Sequence, residues 1–247
     1  MNRIILFTLS LFSFLLFKID FVVARESFGN DLVTKTIKQE SKKLKYSINI
    51  SYHEMKGYND KAAEDSFNKY VNDLIKSAVD TFKHDMQDWE APKGFTSEYE
   101  IVDTVLFNYE NLISIRFDGY TYYAGAAHPS TFFYSVCYDL KKNSVINLSD
   151  MFIGDYMKSI SEYCVNDLIR QKNEYTDNSD VSWIDEGASP KAENYKVFNF
   201  ANGSLLITFP VYQVASYAEG PKEVNIPFIK IKDYINMNGP LGPLVQK

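Results

Sequence analysis

The chain has 247 residues, 45% of them hydrophobic and 23% charged, a length that suits one large or two small domains with a substantial core. That apolar fraction excludes a disordered chain, and a net charge of −6 without any basic block excludes a general nucleic-acid surface, which needs clustered Lys and Arg. The unusual component is aromatic, with 18 Tyr and 18 Phe against 2 Trp.

Residues 1–24 read as a signal peptide. Met1-Asn2-Arg3 supplies a positive start, Ile4 to Phe17 an unbroken run of Ile, Leu, Phe, Thr and Ser, and Val22-Val23-Ala24 a signal-peptidase pattern. As a helix the run would span roughly 21 Å, short of the ~30 Å hydrocarbon core. Cleavage would remove a net +1 and take the charge from −6 to −7; retention as a membrane anchor is the alternative. No later apolar run is long enough to span a membrane, so the expected location is extracytoplasmic, periplasmic or secreted.

Residues 25–42 read as a polar lead-in. Leu44 to Met55 alternates, with Leu44, Tyr46, Ile48, Ile50 and Tyr52 on one face of a half-buried strand. Asn59 can cap a long amphipathic helix in which Phe67, Tyr70, Val71, Leu74, Ile75, Ala78, Val79, Phe82 and Met86 recur at three and four, ending near Trp89. Strands follow at Ser97 to Asn108, Leu112 to Tyr123 and Phe132 to Leu140, with Val145 to Asn147 after a turn, and a second helix near 155–172. Residues 173–193 read as a polar loop. Tyr195 to Ala201 and Leu205 to Phe209 flank the hairpin signal Asn202-Gly203, a strand covers 222–226, and Pro227 opens a final helical turn. Strands joined by short turns predict an α+β fold with antiparallel sheets.

Motif chemistry is sparse. His53, His84 and His128 have no partner at ligand spacing, so no metal or cofactor is expected. Ser66-Phe67-Asn68-Lys69 matches S-x-x-K, but its companion strings are missing and it lies mid-helix, so it reads as coincidence. Asp177, Asp180, Asp185 and Glu186 crowd one loop without calcium-loop order. Cys137 and Cys164 either pair, as an oxidising compartment allows, or stay as two buried thiols. His128 lies in Gly125-Ala126-Ala127-His128-Pro129 between aromatic strands, and Tyr120, Tyr122 and Tyr123 lead into that loop, where exposed rings could stack on sugars or a protein.

Several strings resemble one family: Tyr123-Ala124-Gly125-Ala126-Ala127-His128-Pro129, Tyr138-Asp139-Leu140-Lys141-Lys142, Leu148-Ser149-Asp150-Met151-Phe152, Phe209 to Pro221, and Val224-Asn225-Ile226-Pro227. They are similar to the RsiV-like extracellular domain, the lysozyme-binding sensor half of anti-sigma factors. Residues 44–90 resemble the companion module of PdaC-type peptidoglycan deacetylases. The resemblance implies a bacterial extracytoplasmic α+β protein, divided into a strand–helix module at 43–95, an RsiV-like domain at 96–236 and a tail at 237–247. It carries no deacetylase histidines and no anti-sigma segment, so the reading is a non-catalytic envelope binding protein. Its target would be a lysozyme-like protein or cell-wall glycan, met by Tyr122, Tyr123, His128, Tyr217 and Glu219. The alternative is a glycan hydrolase with an unrecognised carboxylate pair.

Overall fold

Ile48, Ile50 and Tyr52 alternate with Ser47, Asn49 and Ser51, and the polar set leaves only one face of this strand fit for burial. In the computed structural model, which describes residues 32–175 and 180–245, that strand is β2 (Tyr46–Met55), paired antiparallel with β1 (Leu32–Ser41). The signal-peptide reading of 1–24 and the acidic residue Asp177 lie outside the described residues. Residues 32–41, read as lead-in, are therefore largely strand. β1 escaped the pattern because it is an outermost strand, where lysines such as Lys35 and Lys38 are tolerated.

A single helix, α1 (Lys61–Asp88), then carries the chain back across the sheet. Its cap is Asp60 rather than Asn59: the Asp60 carboxylate accepts the Ala62 and Ala63 N–H groups at 3.0 and 3.1 Å. Because α1 crosses over, β3 (Ser97–Tyr109) pairs parallel with β2, Ile50 opposite Ile101, a departure from purely antiparallel pairing. β4 (Leu112–Tyr122), β5 (Ser130–Asp139) and the short β6 (Ser144–Val145) follow antiparallel, giving six strands in sequence order. The border expected near residue 95 thus falls between two hydrogen-bonded neighbours of one sheet. α1 buries Phe67, Val71, Ile75, Phe82 and Met86 against Ile48, Ile50, Ile101, Ile115 and Phe117. Ser66 bonds the Tyr138 hydroxyl at 2.8 Å and Lys69 pairs with Asp73, so the S-x-x-K string serves packing.

The second core lies beyond β3–β5. It gathers α2 (Leu148–Met151), α3 (Tyr156–Tyr175), α4 (Ser182–Gly187), and a three-stranded antiparallel sheet of β7 (Phe198–Ala201), β8 (Ser204–Phe209) and β9 (Lys222–Pro227). Gly203 takes φ +77° in the expected hairpin turn. α4 lies inside the segment read as loop; buried Ile184 anchors it. A bulge between Val105 and Phe107 turns Phe107 toward this core, edge-on to Phe200 at 5.2 Å. A final turn, α5 (Gly242–Val245), closes the described chain. The fold is α+β with predominantly antiparallel sheets.

Cys137 and Cys164 share the second core as free, buried thiols. Cys137 donates to the Phe198 carbonyl at 3.6 Å, and burial pushes its thiol up to about 12. Burial raises Cys164 as well. An unfolded thiol ionises near 9, so this contribution to stability is full below pH 9 and is lost as pH rises toward 12. Two titratable thiols per chain are expected in denaturant and none in the native protein at pH 8, counted with a chromogenic disulfide reagent; an absence of thiols in denaturant would mean a disulfide.

Candidate functional site

The β4–β5 connection, Tyr123 to Pro129, is tied down on both sides. Toward α1, the Tyr123 hydroxyl donates to Asp85 at 2.8 Å, its ring lies 5.1 Å from Trp89, and the Trp89 indole N–H donates to the Ala124 carbonyl at 3.2 Å. Burial first, and then Asp85, push the Tyr123 phenol up to about 12. Gly125 allows this path with φ +93°, where a Cβ would sit 2.9 Å from Pro92.

Toward the second sheet, the anchor is a 3-10 turn, Tyr217–Glu219, just before β9. The Tyr217 hydroxyl donates to the Pro129 carbonyl at 2.9 Å, and His128 Nδ1 lies 2.8 Å from the same oxygen. A carbonyl only accepts, so Nδ1 carries a proton and Nε2 is the free nitrogen. The two rings stack with centroids 4.1 Å apart, and Tyr212 continues the series 5.8 Å from Tyr217. His128 is exposed, and Tyr212 is 55% exposed. Tyr212 also has φ +68°, a conformation that costs a bulky residue on the order of 1–3 kcal/mol. Gln213 holds it there by donating to the carbonyls of Gly187 and Asn194 at 2.9 and 2.8 Å.

Beside this stack the sheet offers a polar face. Strand register sets Tyr122 opposite Glu98 and Tyr120 opposite Glu100. Burial, then the Glu98 and Glu100 carboxylates, push the Tyr120 phenol up, with Tyr122 and Tyr217 adding smaller effects. Farther along β4, Arg116 binds Asp118 at 2.9 Å and reaches Glu223 on β9, with its guanidinium over the Phe133 ring. Burial raises the Asp118 carboxyl above the usual carboxylate range although Arg116 pulls it down.

The residues singled out from sequence therefore divide. Tyr122, His128 and Tyr217 lie on the seam between the sheets. Glu219 is on the same turn as Tyr217, bonded by Ser216 at 3.2 Å and paired with Lys222 at 3.7 Å. Tyr123 is on the opposite face, packed against α1. Tyr212 and the Arg116 cluster were not singled out; the even spacing of Arg116, Asp118, Tyr120 and Tyr122, which puts all four on one strand face, is the signal that could have found the second. Among the described residues no group of three or more His, Cys, Asp or Glu is placed to hold a metal ion, and no helix is long and apolar enough to cross a membrane.

Two family models match the chain: "Deacetylase PdaC" over residues 37–131 and "Protein of unknown function (DUF3298)" over residues 149–228. The chain thus carries a PdaC-like module. It is 24% identical over 210 residues to the peptidoglycan-N-acetylmuramic acid deacetylase PdaC of Bacillus subtilis, covering 84% of this chain and 42% of that protein. The fold matches the crystal structure of a DUF3298-family member from Bacteroides fragilis (TM-score 0.65, 19% identity), covering 89% of this chain and all of that one. It also matches a DUF3298-family protein from Pseudomonas aeruginosa (TM-score 0.60, 14% identity), covering 84% of this chain and 96% of that one.

Proposed function

We propose that the chain is a non-catalytic, extracytoplasmic cell-wall binding protein, and that the seam between its two sheets docks a glycan strand. The observation that carries this reading is the stack of exposed His128 and Tyr212 on half-buried Tyr217, beside a sheet face bearing Tyr120, Tyr122, Glu98 and Glu100. Ring faces pack against the C–H faces of sugars, and carboxylates and phenols accept or donate to their hydroxyls. Similarity to a peptidoglycan deacetylase supplies the substrate class, and the matched region accounts for less than half of that enzyme.

The hydrolase alternative would draw on Asp118 and Glu223. Both carboxylates are occupied by Arg116, which joins β4 to β9, and this favours a structural role. Incubation with peptidoglycan is expected to release no reducing sugar ends.

Retention on insoluble peptidoglycan and on immobilised lysozyme tests the proposal. The expected result is micromolar retention on peptidoglycan, weakened roughly tenfold or more by Tyr217→Ala, a loss of about 1.4 kcal/mol or more. Tyr217→Phe keeps the ring and should keep most of the binding. Retention on lysozyme alone would replace the glycan by the protein partner that the RsiV-like resemblance implies. Retention on neither would overturn the proposal.

A further inference from the structure

The turn that presents Tyr217 to His128 has a second side. Ser216 and Glu219 line a cavity of about 290 Å³ with Leu168 and Lys172 of α3, Asp180, Trp183 and Ile184 around α4, Val214, Ala215 and Lys222. The apolar part of its lining comes from Leu168, Ile184, Val214 and Ala215, which are otherwise buried. Its rim is charged and neutral in sum, because Lys172 and Lys222 stand with the carboxylates of Asp180 and Glu219, and Lys222 pairs with Glu219. Trp183, one of only 2 tryptophans in the chain, stands in the lining with 46% of its surface exposed. Its neighbour Ile184 is buried and already anchors the helix, so the indole is not needed there for packing.

An exposed indole, a partly apolar lining and a rim of charged side chains with little net charge suit a particular kind of ligand. A polyanion or polycation would meet as many like charges as opposite ones. An aliphatic ligand would leave Lys222, Glu219 and Ser216 facing carbon. A pyranose ring has one C–H face for the indole and a periphery of hydroxyls for charge-assisted hydrogen bonds. An acetamido methyl would in turn suit the apolar part of the lining. The volume lies at the small end for ligand sites and corresponds to one ring rather than a strand.

We propose that this cavity is a separate subsite for a single N-acetylhexosamine ring, with Trp183 as the stacking platform and Glu219, Lys222 and Ser216 as the polar partners. The ligand class rests on the glycan reading above, whereas the site shares with it only the Ser216–Gly220 turn. Binding in the cavity would order that turn, and through Tyr217 it would favour the stack on the other side.

The test titrates N-acetylglucosamine and its tetramer into the full chain by calorimetry, and follows Trp183 fluorescence as the difference between the full chain and Trp183→Phe. The monosaccharide is expected to shift Trp183 emission, and Trp183→Ala is expected to abolish monosaccharide binding and weaken the tetramer at least fivefold. Lys222→Met should weaken the monosaccharide and keep the indole exposed. If Trp183→Ala leaves both ligands unchanged while Tyr217→Ala abolishes the tetramer, the cavity inference is overturned and the stack stands. If Trp183→Ala abolishes both and Tyr217→Ala neither, the cavity stands and the stack fails. Binding of neither sugar by the parent chain overturns the cavity inference outright, and retention on peptidoglycan then decides the stack separately. Far-UV dichroism of each variant separates loss of binding from loss of fold.

Discussion

Replacing Arg116 with methionine is expected to lower stability by about 3 kcal/mol, because it strands a carboxylate whose burial already disfavours charge. The Arg116 side chain is only 15% exposed and holds Asp118 at 2.9 Å while reaching Glu223 across the seam. Glu223 is half-exposed and can turn to water, so most of the cost falls on Asp118. Since burial raises the folded-state Asp118 carboxyl, its stabilising protonated form is complete below the ordinary value of 3.8 and is lost as pH rises through the raised one. The deficit of Arg116→Met should therefore be largest near pH 7 and narrow as pH falls toward 4. Urea unfolding at both pH values checks this, and adding Asp118→Asn should restore part of the loss at pH 7. A deficit that does not change with pH would mean that packing over Phe133, rather than charge, is what Arg116 contributes.

Gly187→Ala is expected to cost about 2–3 kcal/mol and to disable the stack. A Cβ at this position would lie 1.9 Å from the Gln213 carbonyl oxygen and 2.7 Å from its carbon, so the backbone itself must move. The backbone in question carries Tyr212 on one side of Gln213 and leads to Tyr217 on the other. Displacing it breaks the Gln213 bonds to Gly187 and Asn194 and releases Tyr212 from its left-handed conformation. Thermal unfolding and peptidoglycan retention should both suffer. Gly203→Ala is the comparison, since nothing lies within 4 Å and only its φ of +77° is strained. It should lose some stability and retain binding.

Much of the α1 side of the first sheet was legible in sequence because β2 and α1 each bury one face. Tyr46 to Tyr52 alternates cleanly and α1 repeats its apolar residues at three and four, while in the second sheet Asn202-Gly203 announces the β7–β8 hairpin. β1 was not legible because few of its ten residues are apolar and an edge strand need not bury a whole face. The parallel pairing of β2 with β3 was hidden for a different reason: sequence shows which strands are neighbours in the chain, and a helix between two of them is silent about where the second lands. At the site, position in the Tyr123–Pro129 string marked the right loop but not which way each ring points. Tyr122 and Tyr123 are adjacent in sequence and face opposite sides of the sheet, so only one can belong to the seam. The Tyr217–His128 contact joins the β4–β5 connection of one sheet to the turn before β9 of the other, which no local pattern encodes.

β2 leaves the ribosome well before β3, with all of α1 translated in between. At about 5–20 residues per second that interval is on the order of seconds, during which the β3-facing edge of β2 is bare. An apolar strand with an open edge is a template for mispairing with another nascent chain. The polar β1 emerges before β2 and occupies the other edge through a tight turn, and α1 emerges after β2 to cover Ile48, Ile50 and Tyr52. The strand order thus doubles as a schedule, in which the elements made just before and just after β2 are those that shield it until its parallel partner arrives.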